Sequence, residues 1–93
     1  MRRWSLLILA EGDDVATALA DLAAGEAPAR LGDRIETLTL PAPVPLGHKV
    51  ARRAIARGEV IRKYGAPIGE ATDDIAPGAH VHVHNLRSLR ARK

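Results

Sequence analysis

Glycine and proline interrupt this chain at short intervals, which limits the length of any regular element. Eight glycines and six prolines occur among the 93 residues. They separate short apolar stretches, rich in β-branched residues, at intervals of roughly ten residues. This spacing favours short strands joined by turns, so we predict a mostly β fold. The candidate strands are residues 4–9, 34–40, 47–52, 60–64 and 79–85.

The segment 14–22 fits either a helix or a strand. Alanine favours a helix and Asp13 could cap it, yet Val15, Thr17 and Leu19 alternate at a period of two. We predict a strand. The segment 41–47 carries three prolines, which remove backbone donors and fix φ, so it is expected to be a stiff connector leading to His48. The segment 27–33 is expected to be a looser loop.

One short pattern occurs three times, at residues 21–26, 54–59 and 74–79. In each copy an aliphatic residue, Leu22, Ile55 or Ile75, is followed three positions later by a glycine. Glycine adopts positive φ without a Cβ clash, so each copy is predicted to bury its aliphatic side chain and turn the chain into a strand. The unequal spacing argues against a solenoid and predicts a compact fold with similar corners.

The length predicts a single domain, residues 1–86, followed by a basic C-terminal tail, residues 87–93. A chain of this size buries only a little over ~60% of the surface that its unfolded form exposes. Phe is absent, and Trp4 and Tyr64 are the only large aromatic residues, so the core must consist of Val, Ile, Leu and Ala. A partner surface would help such a thin core.

The absence of cysteine excludes disulfides, thiolate metal sites and a cysteine nucleophile, and it is typical of a cytoplasmic chain. The start of the chain has the basic and apolar parts of a signal peptide, but acidic residues follow the short apolar run at once. We interpret it as the first strand. No run approaches the ~20 apolar residues of a membrane span. We expect a cytoplasmic protein that does not bind a membrane.

Positive charge is concentrated in the middle of the chain, within a net charge of +3. This surplus favours anionic ligands. Nucleic acid is not the expected partner, because the chain lacks the stacking aromatic residues and the recognition helix that such proteins use. The basic residues concerned are Lys49, Arg52, Arg53, Arg57, Arg62 and Lys63.

The segment 80–85 is the best candidate for chemistry. In an extended strand, alternate side chains share a face, so three histidines are predicted on one side and Val81, Val83 and Asn85 on the other. Two imidazoles at positions i and i+2 can bind one metal ion if a further ligand comes from elsewhere. The alternative is that the valines face the core and the histidines face solvent or an interface. The histidines are His80, His82 and His84.

Two further motifs carry chemically useful groups. His48 and Lys49 follow the proline segment, which would hold an imidazole and an ammonium rigidly enough for proton transfer or anion binding. Lys63 and Tyr64 precede a segment with two glycines. The alternatives are a surface turn with a basic pair and, for Tyr64, a packed ring with an exposed hydroxyl.

These motifs together resemble the SAF-type domain of the altronate and galactarate dehydratase family. The resemblance extends from about residue 13 to residue 86 and rests on four motifs in the same order. The motifs are Asp14-Val15-Ala16-Thr17-Ala18-Leu19, Gly47-His48-Lys49-Val50-Ala51, Ile61-Arg62-Lys63-Tyr64-Gly65-Ala66-Pro67-Ile68-Gly69 and His80-Val81-His82-Val83-His84-Asn85.

The resemblance implies a β-clip fold of short bent strands. It also implies a small subunit of a sugar-acid dehydratase, a hydro-lyase that gives a 2-keto-3-deoxy acid, working with a large catalytic subunit and inactive alone. Other readings remain open: a small subunit of a sulfolactate sulfo-lyase, or a non-catalytic module that binds sugar acids or assists assembly. Two positions depart from the family pattern, since Asp14 stands where asparagine is usual and Thr17 where an aliphatic residue is common.

The resemblance further implies a divalent metal, iron or manganese, in the assembled enzyme. We expect the large subunit to supply most of its ligands, with His82 and His84 as the candidates on this chain. The chain itself could also form a homo-oligomer. The predicted catalytic residues are His48, Lys49, His82 and His84, and the predicted substrate-binding residues are Arg62, Lys63, Tyr64 and Asn85.

Overall fold

The computed structural model describes residues 4–89, which form nine short strands and no α-helix. This confirms the mostly β, β-clip-like fold class. No helix in this part of the chain is long and apolar enough to cross a membrane. The strands are β1 (Leu6–Leu7), β2 (Val15–Ala18), β3 (Gly25–Leu31), β4 (Arg34–Leu40), β5 (Lys49–Ala51), β6 (Val60–Lys63), β7 (Ala66–Ala71), β8 (His80–Val81) and β9 (Leu86–Ser88).

The strands form two sheets. Six strands make a mixed sheet in the order β4-β3-β1-β2-β5-β8, in which only the β1–β3 pairing is parallel. The other three make an antiparallel sheet in the order β6-β7-β9. The predicted strand within 14–22 is confirmed as β2, and the prediction for 34–40 matches β4.

Two hydrophobic clusters hold the sheets together, and β2 and β5 contribute to both. Ala16 and Val50 belong to the larger cluster, whereas their chain neighbours Val15 and Ala51 belong to the smaller one. Successive side chains of a strand point to opposite faces, so β2 and β5 are buried on both sides. The smaller cluster also includes Ile61 of β6, and it therefore joins the three-stranded sheet to the larger one.

The glycine corners occur in pairs, and two of the three predicted anchors are buried, whereas Leu22 is only partly buried. Ile55 and Ile75 are buried and form an antiparallel bridge to each other, and Gly58 and Gly78 have φ of 88° and 82°. Leu22 forms the equivalent bridge with Val44. The proline segment 41–47 lies outside the nine strands, and it contains a fourth corner, in which Val44 makes the bridge and Gly47 has a φ of 84°.

The predicted loop at 27–33 is wrong, because this segment lies mostly in β3, which pairs with both β4 and β1. Pro28 makes the sequence of this segment untypical of a strand, because proline has no backbone N–H to donate. The Pro28 carbonyl accepts a hydrogen bond from the Ser5 N–H at 2.9 Å. Ser5 lies just before β1, so the backbone N–H that proline lacks would face a position outside the regular strand pairing. Ala27 and Ala29 are both buried and lie two positions apart, which is the period that indicates a strand.

The predicted strand over 79–85 is also wrong beyond Val81, because β8 ends there and residues 82–85 form a turn. Val83 is 82% exposed whereas Asn85 is buried, so the predicted sharing of one face by Val81, Val83 and Asn85 does not occur. The strand prediction at 4–9 is shortened to β1.

The second of the two glycines near Tyr64 belongs to a strand rather than a turn. The turn is confined to Tyr64 and Gly65, and β7 follows at once. A side chain on Gly69 would meet the backbone of β9, since its Cβ would lie 2.5 Å from the Arg87 carbonyl oxygen. Of the predicted tail, Arg87 and Ser88 belong to β9, and residues 90–93 lie outside the described part of the chain, as do residues 1–3.

Candidate functional site

Three of the four histidines converge from two segments that are far apart in sequence. His48 follows Gly47, whose φ of 84° turns the chain into β5. β5 pairs antiparallel with β8, with Val50 opposite His80. This pairing brings the two imidazoles together across 32 residues of sequence.

The histidine cluster consists of His48, His80 and His82. The His48 Nδ1 and His80 Nε2 atoms are 2.8 Å apart, so one of them carries the proton of a hydrogen bond between them. The His82 ring stacks on both, with centroid distances of 4.4 Å to His48 and 5.4 Å to His80. One ring nitrogen from each residue lies within 4.8 Å of the others. This is the spacing of a potential metal site.

His84 lies beside this cluster rather than within it. Its ring centroid is 5.4 Å from that of His80, in a tilted arrangement. The sequence-based metal candidates were His82 and His84, whereas the geometry groups His82 with His48 and His80. The antiparallel partner of β8 could not be identified from sequence spacing, and that pairing is what adds His48.

Asn85 fixes the turn that carries His82. Its Oδ1 accepts a hydrogen bond from the His82 N–H at 2.9 Å, and its Nδ2 donates to the His80 carbonyl at 2.8 Å. The side chain is only 8% exposed. It therefore positions two histidines.

Burial lowers the pKa of His80, and the neighbouring imidazoles of His48, His84 and His82 lower it further. Each of these rings would repel a second positive charge. His80 is therefore held in its neutral form, in which an imidazole can accept a proton or bind a metal ion.

A second group of predicted residues lies at the junction of the two sheets. Burial lowers the pKa of Lys49, and the nearby Lys63 ammonium adds to this effect. Neither lysine, nor Arg62, is paired with an acidic side chain within residues 4–89. Two neighbouring cations without an internal counter-ion form a local environment that attracts anions.

Two of the other predicted cations of the middle segment, Arg52 and Arg53, are neutralised by acidic side chains, whereas Arg57 has no such partner within residues 4–89. Arg52 pairs with Glu36, with Nη2 and Oε2 2.5 Å apart, and also with Glu11. Arg53 pairs with Asp14 at 2.7 Å. Within residues 4–89, the cations of the middle segment without an acidic partner are therefore Lys49, Arg57, Arg62 and Lys63.

Tyr64 lies at the tip of the β6–β7 hairpin and is 75% exposed. Tyr64 and Gly65 both have positive φ, 55° and 74°, as the central residues of a type I′ turn require. A tyrosine is strained in this region of φ, so the rest of the fold must hold this turn in place.

Asp13 holds this turn and was not predicted to have a structural role there. Its carboxylate accepts hydrogen bonds from the backbone N–H groups of Tyr64 at 2.7 Å, Gly65 at 2.9 Å and Ala10 at 3.1 Å. Asp14 accepts the Arg62 N–H at 2.9 Å. The bonds from Arg62, Tyr64 and Gly65 cross about fifty residues of sequence, so the only local signal was an acidic pair next to a buried strand.

The chain matches the family described as "Altronate/galactarate dehydratase SAF domain" over residues 4–89. It is 50% identical over 76 residues to the altronate dehydratase of Escherichia coli (strain K12), and 38% identical over 84 residues to that of Bacillus subtilis (strain 168). It is also 43% identical over 53 residues to the (2R)-sulfolactate sulfo-lyase subunit alpha of Paracoccus pantotrophus.

The matched parts cover these relatives unequally. They make up 82% and 90% of this chain but only 15% and 16% of the two altronate dehydratases. The match to the sulfo-lyase subunit covers 57% of this chain and 79% of that subunit. The family match spans nearly all of this chain and the nine-stranded β fold agrees with it, so the chain belongs to the altronate/galactarate dehydratase SAF domain family.

Proposed function

We propose that this SAF domain works with a larger catalytic partner in a hydro-lyase that dehydrates a sugar acid to a 2-keto-3-deoxy acid. The observation that carries the proposal is the convergence of His48, His80 and His82 next to a turn that presents His84. The similarity to altronate dehydratases supports the reaction class, and the similarity to a protein named as subunit alpha of a sulfo-lyase supports a partner.

Dehydration of a sugar acid requires three chemical contributions. A base takes the proton from the carbon beside the carboxylate, and the electrons of that C–H bond form an enediolate. A cation stabilises the enediolate, and an acid protonates the departing hydroxyl, which leaves as water. The resulting enol then becomes the keto acid.

The histidines are proposed to provide the proton transfers at a site shared with the partner. His82 and His84 are exposed and can reach a substrate held by the partner, and His48 contacts both His80 and His82. The partner supplies most ligands of a divalent iron or manganese ion, which would polarise the substrate when bound. Asn85 keeps the histidine turn in place.

The lysine pair is proposed to bind the substrate carboxylate. Lys63 lowers the pKa of Lys49, so an anion between the two ammonium groups would relieve their repulsion. Arg62 and Tyr64 belong to the same hairpin and would complete this anion site, with Lys49 also available as a catalytic group.

A sulfolactate sulfo-lyase subunit is the second candidate, because the match covers 79% of one such subunit. In that case the partner would be the other subunit of that enzyme. The two candidates share a carboxylate substrate and differ in the leaving group, hydroxide or sulfite.

The test begins with isolating the polypeptide that co-purifies with this chain. The complex is assayed for dehydration of altronate and galactarate, and for sulfite release from sulfolactate. His82→Ala and His84→Ala are each compared with Val83→Ala, a matched control in the same turn. We expect either histidine change to lower kcat at least tenfold with complex formation intact, and Val83→Ala to leave it unchanged.

Two outcomes would count against the proposal. Unchanged kcat in both histidine variants would remove these residues from the reaction. Full activity of the partner without this chain would instead favour a non-catalytic binding or assembly module.

A further inference from the structure

We propose that this chain binds one divalent transition-metal ion by itself, through His48, His80 and His82. The inference rests on and deepens the proposed function, because it assigns a metal ion to a chain whose partner was expected to supply most of the ligands. If this chain does not bind a metal ion by itself, the proposal of a shared catalytic site is unaffected.

The distances between the ring nitrogens suit one small ion. Three imidazoles bound to a tetrahedral ion at about 2.0–2.1 Å have nitrogens roughly 3.3 Å apart. In the structure, His48 Nδ1 and His80 Nε2 are 2.8 Å apart and all three nitrogens lie within 4.8 Å of one another. Binding therefore requires the hydrogen bond between the first two rings to open slightly and the exposed His82 ring to turn inward. These are side-chain movements that leave the strands in place.

The backbone that carries the ligands is fixed on both sides of the cluster. His48 closes a tight turn, in which its N–H donates to the Pro45 carbonyl at 3.1 Å. His80 lies in β8, paired with Val50 of β5. The Asn85 amide ties the backbone of His80 to that of His82. Such outer contacts hold metal ligands in register and reduce the entropy lost on binding.

The ligand types define the class of ion. The cluster offers three neutral nitrogen ligands and no carboxylate or thiolate, a set that suits Zn²⁺, Co²⁺, Ni²⁺, Cu²⁺ or Fe²⁺ and does not suit Mg²⁺ or Ca²⁺. Because His82 is exposed, a fourth position faces solvent, where water, a substrate oxygen or a partner side chain can bind.

The test uses the full chain alone, produced without a polyhistidine tag and freed of metal by a chelator. Zn²⁺ is titrated by calorimetry, and Co²⁺ is followed by the visible absorption of its tetrahedral complex. We expect one ion per chain with a dissociation constant of about 1 μM or below. Mg²⁺ is expected to give no saturable binding.

Single alanine variants locate the ligands. His82→Ala is the most informative, because this exposed side chain can be removed without disturbing the core, and it should weaken binding at least tenfold. His48→Ala and His80→Ala should do the same, with far-UV circular dichroism showing that each variant is folded. His84→Ala and Val83→Ala are controls expected to bind like the unaltered chain.

Several results would overturn the inference. These are the absence of saturable Zn²⁺ and Co²⁺ binding, full binding by folded His82→Ala, or an equal loss in His84→Ala. Catalysis by the assembled complex is measured separately. Loss of catalysis in His82→Ala without any metal binding by the chain would reject this inference and leave the proposed function in place.

Discussion

Replacing Asp13 by asparagine should destabilise the β6–β7 hairpin and the whole domain with it. The Asp13 side chain is 3% exposed, and its two oxygens accept three backbone N–H groups. An asparagine of the same shape has one acceptor oxygen, and its NH₂ group would face at least one of those donors. The loss therefore combines a missing bond with a donor left unsatisfied.

The magnitude follows from the number of bonds. Asp13 Oδ2 accepts two of the three bonds, so an asparagine with its oxygen at that position loses only the bond from the Gly65 N–H, which then faces the NH₂ donor. A hydrogen bond to a charged group contributes about 1.5–3 kcal/mol, and the unsatisfied donor places the cost at the upper end, about 3 kcal/mol. That is a large part of the 5–15 kcal/mol by which domains are typically stable. At about 4–8 °C per kcal/mol for a domain of this size, the melting temperature should fall by roughly 12–24 °C.

Urea unfolding monitored by Trp4 fluorescence and circular dichroism would measure the change. Trp4 is a suitable probe because the Arg30 guanidinium lies over its ring, 4.2 Å from the centroid. Asp33→Asn is the matched control at an exposed turn, where a change within about 0.5 kcal/mol is expected. Equal unfolding free energies for the two variants would refute the assigned role of Asp13.

Four further substitutions have calculable effects. Tyr64→Asn should raise the free energy of unfolding by about 0.5–1 kcal/mol in urea, since asparagine tolerates positive φ better; a less stable variant would contradict the strain. Gly78→Ala should unfold the domain or cost well over 3 kcal/mol, because its Cβ would overlap the Thr39 carbonyl. Gly58→Ala, with a similar φ and open space, should cost only about 1 kcal/mol by the same assay, and equal losses would exclude the overlap as the cause. The side-chain hydrogen bond from Arg52 holds the pKa of Glu36 below its usual 4.5, so this pair stabilises the fold above that pH, and the benefit is lost as pH falls through the lower folded value. Glu36→Gln should flatten the fall in unfolding free energy below pH 4.5, and an unchanged slope would show that the pair is not coupled to folding.

The local parts of the fold could be predicted from sequence, and the long-range parts could not. The corner at Ile55 and Gly58 was predictable because both the buried anchor and the positive φ are properties of a few adjacent residues. Its pairing with Ile75 depends on sheet topology, which no local pattern specifies. The same limit applies to β3, where the local penalty of Pro28 masked a strand that two neighbours stabilise.

In the candidate site, too, the local features were predictable from sequence and the long-range contacts were not. The histidine-rich segment 80–84 was identified by its spacing, but the strand period assigned its side chains to faces that the turn at 82–85 abolishes. His48 and Lys49 were predicted as a pair, and their main neighbours differ. His48 contacts His80, whereas the cation that affects Lys49 is Lys63. The neighbours of His48 and Lys49 are therefore set by the tertiary arrangement of the strands, which the sequence spacing does not specify.

The contact between His48 and His80 also has a consequence for the rates of folding and unfolding. It joins positions 32 residues apart, and the intervening chain contains two corners and the β6–β7 hairpin. Contacts that close such long loops tend to form late and slow the folding of β domains. An ion held between these rings would bind only the native chain and would act as a removable cross-link. At one hundred times its dissociation constant, it would add about 2.7 kcal/mol to the free energy of unfolding.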